Sequence, residues 1–168
     1  EFLKSQPYLN RGDINKAIEL IERSIETAEL AEHRFFLTTA MIERINFYIE
    51  DGRIEKALQL ILKMEIQLKK IADSANLPIL LSMKYFIDTE NANCSLEHLD
   101  TFAETLEKSD TFGNEFVYWY LARAYKKLGD EMKSIIFHEK AKKMIVYLFN
   151  KISNEQDRKF YHNIYFHK

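Results

Sequence analysis

Apolar residues recur along this chain at intervals of three and four positions, the spacing that gathers them on one side of an α-helix. The first such stripe comprises Ile14, Ala17, Ile18, Ile21, Ile25 and Ala28, and further stripes run through residues 54–71, 96–106 and 132–152. Only four Gly and two Pro interrupt the 168 residues, which favours long helices joined by few loops. The pattern predicts an all-α protein.

Glycines mark the predicted turns between helices. Gly12 and Gly52 lie 40 residues apart, and Gly129 follows 77 residues later, close to two such steps. A period near 40 with one turn that lacks glycine predicts four helical hairpins. The turn without glycine is expected at residues 91–93, Asn-Ala-Asn, because Asn tolerates the left-handed conformation. The predicted hairpins are about 1–31, 33–73, 76–109 and 111–152, followed by a capping helix at 153–166.

The most specific stretch is 118–130, with the sequence Tyr-Trp-Tyr-Leu-Ala-Arg-Ala-Tyr-Lys-Lys-Leu-Gly-Asp. Its small Ala122 lies between the large Tyr118 and Tyr125, so a neighbouring helix can approach closely. Gly129 suits the left-handed end of one helix, and Asp130 suits the N-cap of the next. The return helix is then expected to bury an apolar stripe that begins with Met132, Ile135 and Ile136.

This order of an aromatic residue, Leu followed by a small residue, Tyr and then a turn resembles the tetratricopeptide repeat (TPR). The period near 40 is similar to that of the longer repeats attached to bacterial multidomain signalling ATPases and transcriptional regulators. The resemblance implies a right-handed α-α superhelix that forms a single domain over 1–168, and we expect the chain to be a fragment of a longer protein. His138 takes a position where the family has an aromatic residue, while Met41, Arg44 and Ile45 depart from the family pattern.

The composition is that of a soluble globular protein, with 46% hydrophobic and 30% charged residues. No run of about 18 apolar residues and no signal peptide is visible, and the single Cys94 permits no intrachain disulfide, so a cytoplasmic location is expected. The net charge of −2 is unevenly distributed, because residues 123–168 hold eleven Lys and Arg against five Asp and Glu. This basic region could steer a partner or stack copies of the chain, or it could form the solvated faces of amphipathic helices.

The sequence lacks the usual arrangements of catalytic and metal-binding residues. Its four glycines are scattered, whereas a phosphate-binding loop needs them clustered before a helix. The five histidines are widely separated except for His162 and His167, whose spacing of five puts them on different sides of a helix. We therefore predict no enzymatic activity, no cofactor and no metal site.

The TPR resemblance implies a scaffold in which the first helix of each hairpin lines a concave groove for a protein or peptide. The residues predicted to line it are Phe116, Trp119, Arg123, Lys126 and Lys127 in hairpin four, and Thr39, Ile42, Asn46 and Ile49 in hairpin two. Trp and Arg are the residues most enriched in binding hot spots, although Trp119 could instead pack against hairpin three or the capping helix. Ile42 stands where carboxylate-clamp members of the family have Lys, so recognition of a chaperone C-terminus is not expected.

Other functions stay open beside the scaffold. A peptide ligand could fill the groove, which would make the chain the sensing domain of a transcriptional regulator. The chain could also be a self-association module that forms a homo-oligomer. Nucleic-acid binding through the basic region is not expected, and it would show itself by a steep salt dependence. A membrane partner is not expected either.

Overall fold

A computed structural model describes residues 13–71, 73, 75–108, 115–155 and 158. These residues form seven α-helices: α1 (Ile14–Leu30), α2 (Arg34–Glu50), α3 (Ile54–Lys70), α4 (Leu77–Glu90), α5 (Leu96–Lys108), α6 (Glu115–Lys127) and α7 (Glu131–Lys151). The described part contains no strand, so the prediction of an all-α protein is confirmed. Among its helices, none has the combined length and apolarity that crossing a membrane requires.

Two successive helices lie within the bounds of each of the last three predicted hairpins, and the division into hairpins stays a prediction. Helices α2 and α3 lie within 33–73, α4 and α5 within 76–109, and α6 and α7 within 111–152. The first helix expected for hairpin one and most of the capping helix at 153–166 lie outside the described residues. The single-domain prediction stays a prediction, because the contacts divide the chain into two compact units.

Four helices end in the same way, with a left-handed residue directly after the C-cap: Glu32, Gly52, Ala92 and Gly129, whose φ angles are 52°, 73°, 58° and 83°. After α2, the Gly52 N–H donates to the Ile49 carbonyl at 3.1 Å and the Arg53 N–H donates to the Tyr48 carbonyl at 2.8 Å. This pair of bonds satisfies carbonyls that the helix end would otherwise leave without partners. The turn both stops one helix and reverses the chain for the next.

The turn predicted without glycine lies where the 40-residue period puts it, but Ala92 rather than an Asn is its left-handed residue. Asn91 has φ −90° and occupies the C-cap, while the Asn93 N–H donates to the Asp88 carbonyl at 2.8 Å. These two positions flank the one that must have positive φ, so the tolerance of Asn for that conformation is not used. Ala carries the steric cost that glycine avoids elsewhere.

Side chains cap the starts of several helices. Asp130 Oδ1 accepts from the Lys133 N–H at 3.0 Å, which confirms the N-cap predicted for α7. At α5, Ser95 Oγ accepts from the His98 N–H and His98 Nδ1 accepts from the Ser95 N–H, each at 3.4 Å. His98 therefore completes the reciprocal capping arrangement that usually needs Glu or Gln.

The first compact unit comprises the described residues of 1–60 and 152–168, and the second comprises Ile61–Lys151. In the first, α1 packs against α2 through a buried stripe that contains Ala17 and Ile21, both fully buried. The Tyr48 hydroxyl donates to Glu22 across this contact at 3.5 Å. Helix α2 is buried on almost every side over the ten positions 40–49, where only Met41 and Arg44 are partly exposed.

In the second unit, equivalent helices of successive hairpins run side by side in the same direction. Between α4 and α6, Phe86 contacts Arg123 and Glu90 pairs with Lys127, so both contacts join residues 37 positions apart (86 to 123, 90 to 127). Between α5 and α7, Asp100 pairs with Lys133 and Glu107 with Lys140, each 33 positions apart. When the residue numbers of contacting pairs differ by a constant amount along two helices, the helices are parallel. In antiparallel helices the two residue numbers of each pair would instead add to a constant sum.

The first half of helix α7 buries a different face from the predicted one, whereas Met144, Ile145, Leu148 and Phe149 of the predicted stripe are half-buried. Met132, Ile135 and Ile136 are 75%, 64% and 47% exposed, whereas Phe137 and Ala141 are buried. The ring of Phe137 stacks on Tyr125 of α6, with the planes 7° apart and the centroids at 5.3 Å. Phe137 therefore fills the aromatic position that was predicted for His138. One position along a helix turns a side chain by about 100°, so this difference of one residue changes which face is buried in the first half of the helix.

Candidate functional site

Helix α6 separates a buried face from an outward face. Its buried side includes Tyr120, Leu121 and Ala124, all with no exposed surface, and these residues hold the helix against its neighbours. The residues predicted to contact a partner lie around the other side: Phe116 and Arg123 are half-buried, while Trp119, Lys126 and Lys127 are exposed. The five residues predicted in hairpin four therefore fall on one partly accessible helix surface, which we call the α6 surface.

Trp119 is the largest side chain of the α6 surface and is 38% exposed. Its indole meets the edge of the His138 ring of α7, with centroids 5.4 Å apart and planes at 75°. This ring contact lies within its own hairpin, and packing of Trp119 against hairpin three or the capping helix stays the alternative prediction. An indole that is held by its neighbours and still keeps 38% of its surface exposed is suited to stack with a partner side chain at little entropic cost.

Arg123 is held in place by aromatic rings. Its guanidinium carbon lies 4.3 Å from the centroid of Phe86 on α4 and 5.5 Å from that of Tyr120. The cation attracts the negative faces of the rings, and the stacking limits the rotamers of the long side chain. Lys127 is tied to Glu90 of α4 at 3.0 Å, whereas Lys126 is exposed. The positive charges of the α6 surface are thus largely ordered before any partner arrives.

The residues predicted in hairpin two lie mostly in the interior. Ile42, Asn46 and Ile49 are only 4%, 8% and 5% exposed. The Asn46 amide donates to the Glu43 carboxylate at 3.4 Å. Thr39 is half-buried, and its hydroxyl donates to the Phe35 carbonyl at 3.0 Å. Ile42, Asn46 and Ile49 therefore offer almost no open surface, whereas Thr39 is partly accessible, and the role of all four residues in binding stays a prediction.

A charged network that sequence reasoning missed fixes the back of α6. Asp100 of α5 accepts from the Tyr125 hydroxyl at 2.8 Å and from Lys133 of α7 at 2.6 Å. Hydrogen bonds from Lys133 and Tyr125 lower the pKa of Asp100, and the bond to Asp100 raises the pKa of Lys133. Burial, followed by the bond to Asp100, raises the pKa of the Tyr125 hydroxyl. The network ties three helices together and so sets the orientation of the α6 surface.

The chemistry available elsewhere is limited. Within the ranges that the structure describes, no three His, Cys, Asp or Glu side chains come together to hold a metal ion. Cys94 is buried, and burial raises the pKa of its thiol. A thiol in that state is a poor nucleophile, because the thiolate is the reactive form.

The protein-family models, the curated proteins and the solved structures compared with this chain gave no match. Function is therefore inferred from the residues of the chain itself.

Proposed function

We propose that this chain is a non-catalytic scaffold that binds a protein or peptide on the α6 surface, within a right-handed superhelix of TPR-like hairpins. The observation that carries the proposal is the parallel packing of equivalent helices, α4 beside α6 and α5 beside α7. Hairpins that stack in one direction leave their first helices along a common wall, which is the surface that repeat scaffolds use for binding.

The α6 surface has the chemistry of a peptide-binding site. Trp119 provides a partly exposed aromatic platform, and Arg123 lies four residues further along the same face, already ordered by its rings. Trp and Arg dominate binding hot spots because they offer large contact area together with directed hydrogen bonding. Lys126 adds an exposed positive charge at the edge, where it would favour a partner that carries carboxylates.

The resemblance of the 40-residue period to bacterial regulators extends the proposal. We place the scaffold within a cytoplasmic regulatory or signalling protein, where a neighbouring part would carry the enzymatic or DNA-binding work. In this role the α6 surface would bind a partner and would catalyse no reaction.

The proposal is tested by comparing partners captured from the native cell extract. We expect Trp119→Ala and Lys126→Glu each to lose a partner that wild type retains, with affinity lowered by roughly tenfold or more for a hot-spot tryptophan. Arg123 is avoided as a test position because its guanidinium also packs on Phe86. Phe35→Ala is the matched control, because Phe35 is an exposed aromatic residue of α2.

The purified partner then allows a direct measurement. Trp119 is the only tryptophan of the chain, so binding at the α6 surface must change its fluorescence emission. Circular dichroism of each variant checks that helicity is retained. A partner that is bound equally by wild type, Trp119→Ala and Lys126→Glu, with no change in the emission of Trp119, would falsify the assignment of this surface.

A further inference from the structure

Helix α7 carries a second apolar face that points away from the hairpin. Met132, Ile135 and Ile136 are exposed in its N-terminal half. In its C-terminal half, Val146 is 44% exposed and Tyr147 is 46% exposed. The buried face of the same helix is formed by Phe137 and Ala141. Large apolar side chains on one exposed stripe are unusual in a water-facing helix and indicate a contact surface.

The exposed residues follow a heptad-like pattern. Spacings of four and three alternate along six exposed positions: Met132, Ile136, Glu139, Lys143, Val146 and Asn150. Such spacing keeps side chains on one seam, as between two helices that pack along their length. Met132 and Ile136 on one side and Val146 on the other therefore flank a charged centre that consists of Glu139 and Lys143, and the polar Asn150 ends the seam.

We propose that this seam is a homodimer interface, in which α7 of one chain packs antiparallel against α7 of a second copy. A two-fold axis level with Ala141 pairs Ile136 with Val146 of the other copy, and Glu139 with Lys143 of the other copy. In each of these pairs the two residue numbers add to 282, so a single alignment of the two helices forms all of the pairs at once. Ile135 and Tyr147 flank the apolar pairs at the same level and widen the contact.

Charge complementarity selects the antiparallel orientation. In a parallel pair, Glu139 would face Glu139 and Lys143 would face Lys143, and like charges in contact oppose association. In the antiparallel pair, two Glu–Lys contacts form, one on each side of the axis. Glu139 also pairs with Lys142 of its own helix at 2.9 Å, so the contact with Lys143 of the other copy competes with this intrahelical pair. Polar residues at the centre of a helix seam set its register at some expense in affinity.

The size of the seam sets the expected affinity. A helix of 21 residues is about 32 Å long, and one pair of such helices gives an interface at the small end of the range for protein complexes. We therefore expect a dissociation constant on the order of micromolar, with monomer and dimer exchanging as the concentration changes. The seam is on α7 and does not use Trp119 or Lys126, so it is independent of the proposed binding function.

Sedimentation velocity from about 1 to 300 μM tests the proposal on the full chain. Wild type is expected to shift from monomer to dimer over this range. Glu139→Lys and Lys143→Glu are each expected to weaken association by roughly tenfold or more, since either change creates two like-charge contacts. The double variant Glu139→Lys/Lys143→Glu restores both contacts and is expected to associate within about threefold of wild type, because the pairs are only exchanged.

Cysteine cross-linking reads the orientation directly. Ile136→Cys mixed with Val146→Cys is expected to form an interchain disulfide, because the two positions face each other across the axis. Ile136→Cys alone is expected to cross-link much less, and wild type controls for Cys94, which is buried. All these positions are exposed, so melting of the monomer should change little. A monomer at every concentration, single charge variants that dimerise like wild type, or preferential cross-linking of Ile136→Cys to itself would each overturn the proposal.

Discussion

Backbone conformation at single turn residues contributes to stability in a way that the contacts do not reveal. At Gly52 and Gly129, a Cβ would meet no heavy atom within 4 Å. A larger side chain would therefore fit at these turns without a clash. Glycine is favoured there because the backbone has a positive φ. At Ala92 and Glu32 the chain adopts the same conformation with a side chain present, which costs roughly 1 kcal/mol relative to glycine.

We predict that Ala92→Gly stabilises the protein by about 1 kcal/mol and raises the melting temperature by about 2–4 °C. The gain arises because glycine has no steric penalty at φ 58°. The measurement is thermal and urea unfolding followed by circular dichroism. Ala31→Gly is the control, since Ala31 has an ordinary φ of −85° and glycine there only adds unfolded-state entropy. Equal effects at the two positions would remove the conformational explanation.

A second residue-scale prediction concerns the hydroxyl of Tyr125. Tyr125→Phe keeps the ring stacked on Phe137 but removes the bond to Asp100, and we expect a loss of about 1 kcal/mol at neutral pH. Because the pKa of Asp100 is lowered in the folded protein, its stabilising contribution is present above the ordinary pKa of Asp and disappears as the pH falls through the folded value.

The difference between wild type and Tyr125→Phe should therefore shrink on acidification, as measured by urea unfolding at neutral pH and at about pH 2, well below the ordinary pKa of Asp. The raised pKa of Lys133 works in the opposite direction: its contribution is complete below the ordinary pKa of Lys and is lost as the pH rises through the folded value. Glu104→Gln, which removes an exposed pair with Lys108, is the control and should cost at most about 0.5 kcal/mol.

At the scale of elements, α6 is buried on one face and partly open on the other. Leu121 lies on the closed face and has no exposed surface, whereas Trp119 keeps 38% of its own. Burial of this kind determines how much free energy a truncation removes, since a buried side chain leaves a cavity and a half-exposed one is replaced by water. The two residues are only two positions apart, so local helix propensity affects them similarly.

We predict that Leu121→Ala lowers the free energy of unfolding by about 2–5 kcal/mol, and that Trp119→Ala lowers it by less than about half as much. The measurement is urea unfolding monitored by circular dichroism, which does not depend on the tryptophan. If Trp119→Ala costs as much as Leu121→Ala, Trp119 belongs to the core, and the α6 surface loses its main binding residue.

At the scale of the whole molecule, the basic residues near the end of the chain form ion pairs between hairpins. The basic residues Lys127, Lys133 and Lys140 each pair with a carboxylate from the preceding hairpin, namely Glu90, Asp100 and Glu107. The excess of positive charge after residue 123 therefore contributes contacts between hairpins. Ion pairs of this partly exposed kind are individually weak, but several in a row hold two hairpins in one register.

We predict that the triple variant Lys127→Gln/Lys133→Gln/Lys140→Gln melts at a lower temperature than wild type in dilute buffer. The difference should narrow as NaCl rises to about 1 M, where the Debye length falls to about 3 Å. The control is Lys63→Gln/Lys70→Gln/Lys126→Gln, which removes the same charge from exposed lysines. A salt dependence equal to that of the control would mean that the ion pairs add nothing to the packing of the hairpins.

Much of the local structure follows from residues close together in the sequence. The helices, the turns spaced at about 40 residues and the Asp130 cap all depend on side chains within about four positions of one another. The outward face of α6 was predictable for the same reason, because its buried and exposed residues alternate at helical spacing. The exception at the turn, Ala92 in place of Asn, shows that the position of a turn is easier to predict than the residue that bears its strain.

The tertiary structure alone decided which faces are buried where a helix is apolar on more than one side. In α2 the neighbours enclose Ile42, Asn46 and Ile49, and in α7 the stacking of Phe137 on Tyr125 turns Ile135 outward. Periodicity within one helix tells which residues share a face, but the choice between two apolar faces depends on what other helices present. The Asp100 network was also decided by the tertiary structure, because Tyr125 and Lys133 lie 25 and 33 residues from Asp100 along the chain.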